Sequence, residues 1–124
     1  MISLRALRVI PVLAAVLALG VATTVPAHTE VRSTSPASGT TVKTSITRVT
    51  VTFSAPLRRG TLRVVGAGGK VVSAGGGGRD PRNTSRLLVG LKGGLKPGSY
   101  RAKWTAVAAD GHRQNGAFGF RLRA

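Results

Sequence analysis

The sequence predicts an all-β domain: an immunoglobulin-like or cupredoxin-like Greek-key β-sandwich, or a small barrel, of about seven strands. Three observations carry this prediction. Several short segments alternate apolar and polar residues with period 2, as half-buried strands do. No stretch sustains an apolar period of 3.6 residues. Glycine and threonine, both poor helix formers, recur throughout.

Residues 1–27 stand outside this pattern and read as a secretory signal peptide. Arg5 and Arg8 give the positive start, "VIPVLAAVLALGVA" (9–22) the apolar middle, and "TTVPA" a small-residue exit. The apolar run is shorter than the ~20 residues that span a bilayer, and Pro11 interrupts it. Cleavage after Ala27 makes His28 the first residue of the mature chain; a cut after Ala22 is the alternative. Residues 28–124 then form one domain of about 100 residues, enough for a single core. Cysteine is absent, so neither a disulfide framework nor a thiolate metal site is available. No second apolar stretch of spanning length follows, and the mature protein is expected to be soluble outside the cytoplasm.

The strands follow in order. "TRVTVTF" (47–53) places Val49, Val51 and Phe53 on one face and Thr50 and Thr52 on the other. "TLRVVG" (61–66) and "KVVSA" (70–74) flank a short glycine turn and read as a hairpin. "SAGGGGRDPRN" (73–83) reads as a flexible surface loop. "SRLLVGL" (85–91) and "GSYRAKWTAVAA" (98–109) are strands joined by the turn-rich "KGGLKP", and "GAFGFRLRA" (116–124) closes the chain. Phe53, Tyr100, Trp104, Phe118 and Phe120 are the aromatic core candidates.

Charge is lopsided: 19 Lys and Arg oppose 3 acidic residues, a formal net charge of +16. Such a surface attracts polyanions, including nucleic acid, anionic lipid and envelope polymers. The basic residues nevertheless stand singly (Arg48, Arg63, Arg79, Arg86, Arg101, Arg121), often alternating with apolar ones, as on solvated strand faces. There is no recognition helix and no aromatic stacking platform, so specific nucleic-acid binding is not expected.

Reactive groups in the mature chain are few. No serine sits in a nucleophile-elbow sequence, and Glu30, Asp80 and Asp110 are far apart in the chain, which disfavours hydrolytic catalysis. The second histidine stands in "AADGHRQNG" (108–116). Asp110 and His112 are two apart, so an extended backbone points both side chains the same way, and Gly111 accommodates a tight turn. A D-G-H triplet alone also fits a plain turn in which Asp110 bonds backbone N–H groups and His112 is merely exposed. His28 as a free N-terminus would add an α-amine and an imidazole that chelate one ion together. With Asp110 and His112 the set becomes three nitrogens and one oxygen, which suits tetragonal Cu(II) better than tetrahedral zinc.

"AH" at the predicted cleavage site, "STSPASGT" (33–40), "VTVTFSAPL" (49–57), "LKPGSYRAKWTAVAADGH" (95–112) and "GAFGFRL" (116–122) occur in the order found in the copper-resistance CopC family. The chain resembles that family over essentially all of residues 28–124. The resemblance implies a small periplasmic or secreted β-sandwich that binds one Cu(II) through an N-terminal histidine brace. It makes His28 (amine and side chain), Asp110 and His112 the ligands, and suggests handover to a CopD-like inner-membrane partner.

Several features depart from the family pattern. Met1 is the only methionine, so the thioethers of a second, Cu(I) site are missing. The usual "FSEP" is Phe53-Ser54-Ala55-Pro56, and Arg113-Gln114-Asn115 follow the D-G-H. Arg113 is expected to weaken dication binding, and the basic surface to lower the histidine pKa values. Two other classes compete with the binding-protein reading. One is a copper redox enzyme of the lytic polysaccharide monooxygenase type, which needs open coordination positions and a broad substrate face. The other is a metal-free basic module binding anionic envelope polymers.

Overall fold

Eight strands make up the fold in a computed structural model that describes residues 29–124. The expected leader and His28 lie outside these residues. The strands are β1 (Val31–Ser35), β2 (Thr41–Lys43), β3 (Arg48–Phe53), β4 (Leu57–Val65), β5 (Ser73–Asp80), β6 (Asn83–Leu91), β7 (Gly98–Ala108) and β8 (Arg113–Arg123). They form two four-stranded sheets, ordered β1-β3-β6-β5 and β2-β8-β7-β4. The result is a sandwich and not a closed barrel. Only β5–β6 and β7–β8 are sequential neighbours within a sheet; every other connection crosses between sheets. Among the described residues no helix is long and apolar enough to cross a membrane.

Period 2 decides what enters the core. In β3, Val49, Val51 and Phe53 are buried while Arg48 is exposed. From the other sheet come Leu62 and Val64 of β4, Ala102 and Ala106 of β7, and Phe118, Phe120 and Leu122 of β8. Burying each of the larger side chains contributes roughly 1.5–3 kcal/mol. Phe53 and Trp104 meet edge to face between the sheets at 5.0 Å and 82°. Tyr100 and Trp104 are half-buried and pack against this core, as their shared parity predicts.

Two local expectations are corrected. The turn at Ala67–Gly69 does reverse the chain, with a Val65–Val71 bridge and a Val72 N–H to Val64 carbonyl bond of 2.9 Å. The chain then leaves β4, and β5 pairs with β6 in the opposite sheet. The glycine-rich 73–83 segment is also a strand, not a flexible loop. Its ladder against β6 carries a register shift between Ala74 and Gly78. Glycine is needed there because β5 runs hard against its neighbours. A Cβ on Gly77 would overlap the Leu62 carbonyl oxygen and lie 2.8 Å from Val89 Cβ. Gly77 supplies close approach, which hydropathy does not record.

Gly77→Ala should therefore destabilise the fold by about 1–3 kcal/mol through overpacking against backbone. Gly76→Ala, whose Cβ meets nothing within 4 Å, should stay close to the parent. Urea denaturation of the pair checks this difference.

Candidate metal centre

The β7–β8 hairpin builds the site. Its ladder runs from Gly98–Leu122 to Val107–Arg113, leaving Ala109 to His112 as the connection. Two backbone bonds close that turn: Gly111 N–H to the Ala108 carbonyl and Ala108 N–H to the His112 carbonyl, each 2.9 Å. Gly111 sits at φ +88°, a conformation that side-chain-bearing residues rarely adopt.

The turn brings Asp110 and His112 together. Asp110 Oδ1 accepts the His112 backbone N–H at 3.0 Å, and Oδ2 lies 2.7 Å from Nδ1 of the same histidine. With neutral imidazole, Nδ1–H donates to the carboxylate and the Nε2 lone pair remains for a metal. Both side chains face solvent, His112 at 73% exposure. This is the Asx-type turn named above as the plain alternative for D-G-H. The same hydrogen bonds orient the imidazole.

The electrostatics differ from expectation. The hydrogen bond from the His112 side chain, followed by the one from its backbone, holds the Asp110 carboxyl below its usual range. The Asp110 hydrogen bond, then its charge, pushes His112 above the ordinary histidine value. The basic surface was expected to lower it, but the carboxylate in direct contact outweighs cations that stand in water. Arg113 is exposed beside the site, and the Arg58 Nη1 atom is 4.0 Å from where a Cβ on Gly111 would stand.

The third expected ligand, His28, lies outside the described residues. Among the described residues no three His, Cys, Asp or Glu side chains cluster to hold a metal. The next residue in the chain is fixed, however. Thr29 is buried, and its carbonyl accepts a 2.8 Å bond from Nε2 of Gln114, two residues beyond His112. Glu30 exchanges two bonds with Ser54: its N–H donates to Ser54 Oγ at 2.9 Å, and its carbonyl accepts the Ser54 N–H at 2.8 Å. Sequence reasoning noted Gln114 only as a departure from a pattern. Its parity with Phe118 and Phe120 marks it as a polar side chain on the inward face, the signal that it has an internal partner.

A pH titration of the metal-free protein by NMR should place the His112 midpoint above that of an unperturbed histidine. Asp110→Asn should bring it down. By linkage, the small stabilisation from this pair is lost as pH rises through the raised His112 value and, at the acid end, as pH falls through the lowered Asp110 value.

Comparison with known proteins converges on one family. Residues 31–123 match the model of the CopC domain. Protein YobA of Escherichia coli (strain K12) is 27% identical over 99 residues, which cover 78% of this chain and 80% of that protein. The copper transport protein CutJ of Bacillus subtilis (strain 168) is 30% identical over 98 residues, covering 77% of this chain but only 18% of its own length. In structure, CopC from Methylosinus trichosporium OB3b superposes with a TM-score of 0.65 at 22% identity, covering 77% of this chain and 93% of that one. PcoC, a methionine-rich copper resistance protein from Escherichia coli, gives a TM-score of 0.64 at 22% identity, covering 78% and 100%.

Proposed function

This chain belongs to the CopC family, and we propose that it is an extracytoplasmic binding protein that takes up one Cu(II) ion for sequestration or transport. The proposed ligands are the His28 amine and imidazole, Asp110 and His112; to share one ion with the His112 imidazole, the Asp110 carboxylate would give up its hydrogen bond to Nδ1 for the metal. The observation that carries this reading is the anchoring of Thr29 to Gln114, on the strand that begins beside His112. Residue 28 is joined to Thr29 by a peptide bond, its Cα about 3.8 Å from the next. A histidine there begins its reach within a few residues of the Asp110–His112 turn.

The chemistry of the donors supports copper. Imidazole and amine nitrogens with one carboxylate suit a tetragonal Cu(II) ion. PcoC is described as methionine-rich, whereas the single methionine here is Met1. The proposal is accordingly a Cu(II) site without a thioether Cu(I) site. Export with removal of residues 1–27 is part of the same proposal, because His28 can offer an amine only once the bond to Ala27 is cut. Delivery to a CopD-like membrane protein is the proposed fate of the ion.

Mass spectrometry of the exported protein should find His28 as its first residue; an internal His28 overturns the brace. Cu(II) titration with paramagnetic resonance should show one tetragonal, nitrogen-rich site. His112→Ala, Asp110→Ala, or one residue added before His28 should each weaken it without unfolding the sandwich. If all three bind like the parent, the ligands are elsewhere.

Gln114→Leu tests the anchor. Loss of a hydrogen bond worth ~1 kcal/mol should weaken Cu(II) binding by about fivefold, with the spectrum of the bound ion unchanged.

Proton competition gives a last test. Copper must displace protons from two imidazoles and an amine with ordinary values near ~6.5 and ~7.7–8.0, so affinity should fall as pH drops. Because Asp110 raises His112, its share of the loss should begin at higher pH than for a free histidine. Competition titrations between pH 8 and roughly pH 4.5 check this; a flat affinity rules out nitrogen ligands.

A further inference from the structure

The solvent face of the β2-β8-β7-β4 sheet carries positive charge in a pattern that copper binding does not use. The register shows where each outward residue stands. Arg63 on β4 faces Lys103 on β7, and Arg101 follows two residues along the same strand. Arg101 is opposite Gly119 on β8, and Arg121 stands two residues further on. Arg123 comes next on β8, paired with Lys43 of β2. All six are exposed. Neighbours in this series are about 5 Å apart across strands and about 7 Å apart along them or diagonally. The series therefore crosses all four strands as one diagonal stripe of roughly 25 Å.

Around the stripe that face is small and uncharged: Thr105, Asn115, Ala117 and Thr41 lie on one side and Ser99 on the other. Arg59 and Arg113 stand apart from it at the hairpin end of the sheet, beyond Thr61, Thr105 and Asn115. Over its Arg63–Lys103 end lies an open groove of about 930 Å³. Among the described residues no carboxylate side chain pairs with any of the six: Asp80 pairs with Arg86, and Asp110 with His112. Arg121 donates to Ser99 Oγ at 2.6 Å, and Arg123 to the Ala124 oxygen at 3.2 Å. On the opposite sheet, by contrast, Arg79 is turned onto the Leu57 carbonyl and Arg86 onto Asp80.

We infer that this stripe is a docking track for a linear, base-free phosphodiester polymer of the polyol-phosphate type. A one-dimensional row of cations complements a chain of anions, whereas a lipid surface would be matched by charge spread over the whole face. Four of the six are arginines, whose planar fork takes two phosphate oxygens at once. Of the large exposed apolar residues among those described, Val31 is on the other sheet and Val71 is a single valine at the edge of the groove, too little apolar surface to anchor a bilayer. Trp104 lines the groove but is half-buried and packed on Phe53, so the stripe carries no exposed aromatic for a base to stack on. The track would hold the protein on an anionic polymer outside the cytoplasm, with the copper-site turn at the far end of β7.

The test separates position from net charge. Two triple variants each remove three positive charges: Arg63→Gln/Arg101→Gln/Lys103→Gln on the stripe, and Arg32→Gln/Arg48→Gln/Arg82→Gln on β1, β3 and the β5–β6 turn of the other sheet. Binding of the exported full-length product to synthetic poly(glycerol phosphate) is titrated over a salt series, with circular dichroism to verify folding. The stripe variant should lose about tenfold or more in affinity, and its log K against log salt slope should flatten by about 2–3. The other-sheet variant should change less than about twofold. Equal losses in both overturn the track, since only net charge would then act. Tighter binding to phosphatidylglycerol vesicles, or to a single-stranded oligonucleotide, than to the base-free polymer overturns the choice of occupant. Cu(II) binding should be unchanged in both variants, so failure of the copper reading and failure of this one are distinguishable.

Discussion

The pairing register of β7 with β8 is the constraint on which the rest of the molecule depends. From Gly98–Leu122 to Val107–Arg113 the two strands pair without a shift. Their parity sends Ala102, Trp104, Phe118 and Phe120 inward and Arg101, Lys103 and Arg121 outward. A slip of one residue would exchange the two sets, burying arginine and exposing phenylalanine. The same register fixes where the hairpin closes, and so where Asp110 and His112 face each other. Core, cationic face and candidate ligand pair follow from one ladder.

The ladder holds because the other sheet completes its core. Phe53 ends β3 and meets Trp104 edge to face, while its backbone pairs with Val31 at the start of β1. The segment just before Val31 runs across this end of the sandwich, where Ser54 and Gln114 hold Glu30 and Thr29. Packing between the sheets therefore reaches the candidate site through adjacent backbone bonds. In a chain without cysteine, these noncovalent ties are what keep Thr29 beside the β7–β8 hairpin.

Strands that expose one face and bury the other were legible in the sequence. β3, β7 and the second half of β8 alternate plainly, and the D-G-H turn stood out because reactive side chains are so few. β1 and β2 were not legible: "VRSTS" and "TVK" bury almost nothing, so hydropathy carries no period there. β5 was misread for a different reason. Its Gly77 serves the sheet by occupying little space against Leu62 and Val89, and a sequence pattern does not distinguish that from flexibility. Spacing was expected to point Asp110 and His112 the same way from an extended backbone; a turn brings them into direct contact instead, and the sign of the histidine shift was not foreseen either. A hydrogen bond of 2.7 Å is a local fact that net charge does not predict. Gln114 was visible only through its parity with two phenylalanines.

Distance reconciles a strongly basic chain with the proposed dication site. Lys103 lies five residues before the end of β7, about 17 Å along the strand. That is beyond the ~8 Å over which exposed charges act at physiological salt. The stripe therefore contributes little to the potential at Asp110 and His112. The cations that matter there are local: Arg58 close to Gly111, Arg113 after His112, and Arg59, which pairs with Val107 at the same end of the sheet. All three are exposed, and Asp110 touches the imidazole directly. A carboxylate in contact acts with little intervening water, while the arginines act through it. Strand length thus separates the two proposed electrostatic tasks, cation uptake at the hairpin end and anion docking on the sheet face.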